Sequence, residues 1–88
     1  MIALPKASQM PRPLYRALRE LIVQNIRDGR LRPGDRLPTE RDLARRCGVS
    51  RITVRAALAG LAKDKLVARR TRTGTIVTEK AARGERNV

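Results

Sequence analysis

The sequence predicts a mainly α fold with a small β-hairpin, in which three helices precede two short strands. Apolar residues recur at helical spacing in three segments, and residues that begin or end helices stand at the boundaries of these segments. Two segments rich in β-branched residues then follow around a glycine-containing turn. A chain of 88 residues provides for one small domain, which we predict over residues 13–78.

The first helix is predicted from Pro13 to about Asp28. Proline suits the first position of a helix because its φ is already fixed and its missing N–H needs no partner there. The apolar residues that mark the buried face are Leu14, Leu18, Leu21, Ile22 and Ile26. Residues 1–12 show little pattern and are predicted to form a flexible N-terminal arm.

The second and third helices are predicted on either side of a tight turn at Gly48. An extended link over residues 36–38, which can pair as a very short strand, leads into Thr39, and Thr39 with Asp42 forms a variant of the capping box. Ser50 is suited to cap the third helix. Its predicted apolar stripe consists of Val54, Ala57, Leu58 and Leu61.

A β-hairpin with a basic tip is predicted after the third helix, over residues 66–78. Its strands are residues 66–70 and 75–78, which are apolar or β-branched, and residues 71–74 form the turn. Residues 79–88 are polar and are predicted to be a tail or a linker.

The charge of the chain predicts a polyanionic partner. Its formal net charge is +13, from 21 Lys and Arg against 8 Asp and Glu, and nucleic acid is the usual partner for such an excess. A membrane-surface role is disfavoured because the chain has no Trp or Phe. The single cysteine, Cys47, and the absence of histidine leave no metal cluster or nucleophile and base pair, so no enzyme activity, metal or cofactor is predicted. No apolar segment is long enough to span a membrane, and we expect a cytoplasmic protein.

The exposed face of the third helix, residues 50–63, has the composition of a recognition helix. Arg can donate two hydrogen bonds to guanine, hydroxyl groups can reach phosphates, and an aliphatic side chain can contact a thymine methyl group. The residues of this face expected to contact DNA are Ser50, Arg51, Ile52, Thr53 and Arg55. Together with the preceding helix they predict a helix-turn-helix whose last helix lies in the major groove. The alternative is an ordinary helical hairpin with a solvated basic face.

A hairpin that follows a helix-turn-helix is typically a wing. We therefore predict that the hairpin of residues 66–78 lies at the adjacent DNA backbone or minor groove. The expected contacts in it are Arg70, Arg72, Thr73 and Gly74. The alternative is a hairpin that only covers the core.

Three segments of the chain, PLYRALRELIVQNI, GRLRPGDRLPTERDLARRCGVSRITVRAALAGLAKDKLV and RTGTIV, closely resemble the DNA-binding domain of GntR-type bacterial transcription regulators. The resemblance extends over roughly residues 13–77. It implies a winged helix-turn-helix that binds double-stranded operator half-sites as a homodimer. It further implies repression that is relieved by a small-molecule effector held in a separate C-terminal domain.

The resemblance also assigns residues. Arg41, from the TERDLA motif, is expected on phosphate or at the groove edge, and Ser50, Arg51, Thr53 and Arg55 correspond to the family's SRxTVR motif. Gly74 with Thr75 corresponds to the end of the GxGT motif at the wing tip, whose first glycine is Arg72 here. Ala56 stands where a longer polar residue is common, which shifts base reading toward Ile52 or Arg51.

No effector domain follows the hairpin within the 88 residues, so we expect an excised fragment; the alternative is a free-standing module that dimerises through its arm or first helix. A different function remains open, that of a basic RNA-binding or ribosome-associated protein. Charge alone supports it, because RNA modules usually stack bases on aromatic residues and Tyr15 is the only one here. A partner-binding module without a nucleic-acid role is a third possibility.

Overall fold

The computed structural model describes residues 4–70 and 74–79. It contains three helices and an antiparallel hairpin, which confirms the predicted fold class. The elements are a short 3₁₀ helix at Ala7–Gln9, α1 at Leu14–Arg27, α2 at Glu40–Cys47, α3 at Arg51–Lys63, β1 at Val67–Arg70 and β2 at Gly74–Val77.

Helix α1 begins one residue later than predicted. Pro13 has extended backbone angles (φ −77°, ψ 144°) and stands just outside the helix as its N-cap. Its carbonyl accepts a hydrogen bond from the Ala17 N–H at 3.2 Å. A proline is tolerated here for the same reason as one position later, since the N–H groups at a helix start have no partner within the helix.

The described part of the N-terminal arm packs against the rest of the domain. The Met10 side chain is only 8% exposed and belongs to the core, and Leu4 is partly buried against it. These two residues are separated by a polar segment without periodicity, so their packing could not be predicted from the sequence pattern.

Helices α2 and α3 both begin at the predicted N-caps, and Gly48 ends α2 as predicted. The Thr39 hydroxyl accepts a hydrogen bond from the Asp42 N–H at 3.1 Å, and the Ser50 hydroxyl accepts one from the Thr53 N–H at 3.1 Å. Between them, Gly48 ends α2 in the left-handed region at φ 68°. Because a residue with a Cβ rarely adopts this conformation, Gly48 allows α3 to leave the turn in a fixed direction.

Helix α3 lies at the centre of the core, packed against both α1 and α2. Its predicted apolar stripe is buried throughout: Val54, Ala57, Leu58 and Leu61 are at most 1% exposed. Leu18 and Ile22 of α1 and Leu43 of α2 are fully buried against it.

The hairpin is attached to the link before α2. Strands β1 and β2 pair antiparallel, and the link adds an isolated bridge between Arg36 and Ile76. The Leu37 N–H donates to the Thr75 carbonyl at 2.8 Å. The prediction that this link pairs as a very short strand is therefore confirmed, and it fixes the hairpin beside the helices.

Cys47 is buried in the core, as predicted. Burial raises the pKa of its thiol, and the nearby positive charges of Lys6 and Arg46 lower that pKa by a smaller amount. The side chain therefore packs as a small apolar group. Within residues 4–70 and 74–79, no group of three potential metal ligands occurs. Over the same residues, no helix combines the length and apolar content needed to cross a membrane.

Gly60 tests how tightly α1 and α3 are packed. A Cβ at this position would lie 3.2 Å from Cδ and Nη1 of Arg19, at the flexible end of that side chain. We predict that Gly60→Ala increases the free energy of unfolding by up to about 1 kcal/mol, because alanine favours the helix and Arg19 can move by a few tenths of an ångström. Urea denaturation measures this change. Ala59→Gly at the neighbouring exposed position is the matched control and should lower stability by a similar amount. A loss of stability in Gly60→Ala would mean that Arg19 is held in place.

Candidate nucleic-acid interface

The start of α3 has one side in the core and one side in solvent. Val54 is 0% exposed, whereas Arg51, Ile52 and Arg55 are exposed. Ser50 is exposed as well, and Thr53 is half-buried. The structure therefore brings together, within the N-cap and the first five residues of α3, all five residues that the sequence predicted as DNA contacts in this helix.

Two of these residues, Ser50 and Thr53, also cap the helix. Their hydroxyl oxygens are 2.9 Å apart, so one hydroxyl donates to the other, and Ser50 accepts the Thr53 N–H as well. Each hydroxyl has a single hydrogen to donate. One of the two hydrogens thus remains for a partner such as a phosphate oxygen, and the cap holds it at the first turn of α3.

Ile52 projects from the first turn of α3 with 77% of its surface exposed. It precedes Val54 by two residues and so lies about 160° around the helix from it. Among the described residues, the other exposed large apolar side chain is Tyr15, at 39%. An aliphatic group in this position can contact a thymine methyl group in the major groove.

Arg55 is held by an acidic residue that the sequence did not identify as part of the site. Its Nε–H donates to Oε1 of Glu40, the first residue of α2, at 3.2 Å. The other carboxylate oxygen of Glu40 accepts from Nη2 of Arg69 in β1, also at 3.2 Å. This ion-pair cluster, consisting of Glu40, Arg55 and Arg69, joins α2, α3 and the hairpin at one carboxylate.

Glu40 and Arg69 were missed because their contacts are remote in sequence. Arg55 follows Glu40 by 15 residues and Arg69 follows it by 29 residues. No helical or strand periodicity connects positions at these separations. One feature of the sequence could have indicated Glu40: it places a negative charge in a region whose function was predicted from positive charge.

Helix α2 contains three arginines, Arg41, Arg45 and Arg46. Arg41, predicted to contact phosphate, is exposed beside Glu40 at the start of the helix. Arg45 is paired with Asp42 at 3.0 Å within the same helix, and its side chain is 77% exposed. Arg41 is therefore accessible at the N-terminal end of α2, next to the Glu40 that contacts Arg55, and its contact with phosphate remains a prediction.

The described part of the hairpin adds charge beside α3. Arg70 is exposed at the end of β1, and Gly74 begins β2 in the left-handed region at φ 87°. Arg36 is exposed as well, and it lies next to Gly74: a Cβ on Gly74 would be 3.9 Å from the Cγ and Cδ atoms of Arg36. Arg36 was not predicted as a site residue. Arg72 and Thr73 lie outside the described residues, and their DNA contacts remain predictions.

Arg69 and Arg70 lie on opposite faces of the hairpin, because successive side chains of a strand alternate. Arg69 shares its face with the buried Val67 and contacts Glu40. Of these two arginines, only Arg70 was predicted from the sequence to contact DNA. Of the arginines in the described part of the hairpin, Arg69 is the one that is linked, through Glu40, to Arg55 of α3.

The family profile described as "Bacterial regulatory proteins, gntR family" matches residues 14–77. The HTH-type transcriptional regulator TauR of Rhodobacter capsulatus is 44% identical over 68 residues, which cover 77% of this chain and 14% of TauR. The mannosyl-D-glycerate transport/metabolism system repressor MngR of Escherichia coli is also 44% identical over 68 residues, covering 77% of this chain and 28% of MngR. The alignments thus span less than a third of either relative.

The fold is similar to the DNA-binding domain of AraR, solved in complex with operator ORE1. The TM-score is 0.78 at 32% identity, and the match covers 86% of this chain and 100% of that one. The resemblance inferred from the three sequence segments is thereby confirmed. The match over residues 14–77 includes all three helices and both strands of the hairpin. The chain belongs to the GntR family of bacterial regulatory proteins, and its fold is the winged helix-turn-helix of their DNA-binding domains.

Proposed function

We propose that this chain binds double-stranded DNA in a sequence-specific manner, with α3 in the major groove and the hairpin at the adjacent backbone or minor groove. The observation that carries the proposal is the orientation of α3, whose apolar stripe is fully buried while Arg51, Ile52 and Arg55 are exposed. These three side chains can contact base edges. Arg41 on α2 and Arg69 and Arg70 on the hairpin are exposed and provide positive charge for the phosphates.

The biological role we propose is that of the DNA-binding part of a metabolite-responsive transcriptional repressor in the cytoplasm, without catalytic activity. The name of MngR, a repressor, and the AraR complex with operator DNA support this role. Effector binding would belong to a region outside these 88 residues. The structure measures 31 × 29 × 23 Å, so two copies can lie side by side on half-sites about 34–36 Å apart. We further propose a homodimer on a pseudo-palindromic operator, an arrangement that these dimensions permit.

Competition between nucleic acids distinguishes this function from RNA or ribosome binding. We predict that duplex DNA displaces a labelled duplex at much lower concentration than structured RNA of equal length. The reason is that the exposed side chains of α3 fit a B-form major groove, whereas the A-form major groove is too narrow for side chains to read. Fluorescence anisotropy at several salt concentrations measures both competitors. Equal competition at every salt concentration would indicate binding by charge alone.

Arg55 is predicted to read a guanine. Arg55→Ala should weaken binding to a selected operator duplex by about 1–3 kcal/mol, with a much smaller loss on random duplex, because a bidentate contact exists only with the correct base. Titrations of both duplexes measure the two losses.

Arg45→Ala is the matched control for Arg55→Ala, since it removes the same charge from an exposed arginine that is paired within α2. Arg45→Ala should weaken binding to both duplexes to a similar extent. Equal losses on both duplexes in Arg55→Ala would make Arg55 a phosphate contact.

Ile52 is predicted to contact a thymine methyl group. Replacing thymine by uracil removes only that methyl group. We expect one thymine in each half-site at which the replacement weakens binding about fourfold, which corresponds to about 0.8 kcal/mol for one buried carbon. The same replacement should have no effect on the Ile52→Ala variant. Titrations of duplexes with single uracil replacements provide this double-mutant cycle. If the two losses are additive at every thymine, Ile52 does not make the contact.

A further inference from the structure

Glu40 is the acidic residue of the proposed DNA-binding surface that contacts two of its arginines. The side chain is 26% exposed, and each of its oxygens is 3.2 Å from a different guanidinium group, that of Arg55 and that of Arg69. Arg55 belongs to α3 and Arg69 to β1. One carboxylate therefore restrains an arginine of the recognition helix and an arginine of the hairpin at the same time.

Stability does not account for this arrangement. The side chains of Arg55 and Arg69 are 60% and 43% exposed, and ion pairs with such exposed partners contribute little to folding because water screens them. Helix α3 and the hairpin are already fixed by the core and by backbone hydrogen bonds to the link before α2. The contribution of Glu40 is therefore to be sought in what it does to the two arginines.

Affinity does not account for it either. Binding to phosphates depends on positive charge, and a carboxylate within the surface opposes it. Removing Glu40 would raise the formal charge, and that change in charge, taken by itself, favours binding to any sequence. A surface that served affinity alone would be better without this residue, so its presence points to a role in discrimination.

We propose that Glu40 is a positioning residue for sequence recognition: it orients Arg55 toward a base edge and restrains both Arg55 and Arg69 from binding phosphates without regard to sequence. The inference rests on the proposed function, because it requires that α3 reads DNA. A free arginine side chain loses rotamer entropy when a base contact fixes it, and an ion pair that already restrains it reduces that loss. The pair at Nε uses one of the five N–H donors of Arg55 and leaves others to contact guanine.

Asp42 offers a matched control for Glu40. Both residues lie in the first turn of α2, and the carboxylate of each is paired with arginine. The partner of Asp42 is Arg45, within α2 itself, at 3.0 Å. Neutralising Asp42 therefore changes the net charge by the same amount, also in the first turn of α2, without releasing an arginine of α3 or of the hairpin.

The test compares Glu40→Gln and Asp42→Asn in the 88-residue chain. The probe is the duplex that the unsubstituted chain enriches from random duplexes of about 30 base pairs, long enough for two half-sites. A scrambled duplex of the same composition serves as the reference. The quantity measured is the specificity ratio, which is the affinity for the enriched duplex divided by the affinity for the scrambled one.

Glu40→Gln is expected to lower the specificity ratio about tenfold, through weaker binding to the enriched duplex and stronger binding to the scrambled one. Asp42→Asn should strengthen binding to both duplexes, so that its specificity ratio stays within about twofold of that of the unsubstituted chain. Discrimination should be lost mainly at the base pair where Arg55→Ala loses it. A purely structural role of Glu40 would weaken binding to both duplexes without changing the ratio.

Glu40→Asp provides a second variant, and urea denaturation verifies that each variant is folded. Glu40→Asp keeps the charge but shortens the side chain by one methylene. The carboxylate should then not reach both arginines, and the specificity ratio should be intermediate. An unchanged ratio in Glu40→Gln, or in Glu40→Asp if Glu40→Gln does not fold, would overturn the inference. So would an equal fall in Asp42→Asn. If the unsubstituted chain enriches no sequence, the proposed sequence-specific function fails first.

Discussion

The structure depends above all on the burial of the apolar stripe of α3. Val54, Leu58 and Leu61 are each at most 1% exposed, and a fully buried side chain of this kind contributes about 1.5–3 kcal/mol to folding. This burial fixes the rotation of the helix about its axis. With about 100° between successive residues, Arg55 then lies at the edge of the core and Ile52 faces away from it. The same packing that stabilises the domain therefore selects the side chains that can meet DNA.

Local features of the sequence were sufficient to predict most of this arrangement. The caps at Thr39 and Ser50 and the left-handed Gly48 formed as expected, because each depends on residues no more than a few positions apart. The buried stripe of α3 followed from its helical periodicity. Even the short strand of the link, which pairs Arg36 with Ile76, was anticipated from its extended composition.

Contacts between distant segments were beyond this reasoning. Met10 reaches the core from a segment without periodicity, and Glu40 meets Arg69 across 29 residues. Such contacts depend on how the elements pack, and they involve side chains whose hydropathy predicts only that they are exposed or buried. The sequence could place Arg55 on the exposed face of α3. It could not show that Arg55 has an acidic partner on α2.

This difference matters because charge and specificity make opposite demands on a DNA-binding surface. A net charge of +13 favours any duplex, and each arginine that contacts phosphates strengthens binding to correct and incorrect sequences alike. Discrimination requires that some arginines be oriented before contact, so that the wrong base leaves them poorly paired. A carboxylate shared by Arg55 and Arg69 meets this requirement, since it lowers the general attraction and fixes direction. The sparse negative charge within the basic surface is thus as informative about recognition as the positive charge around it.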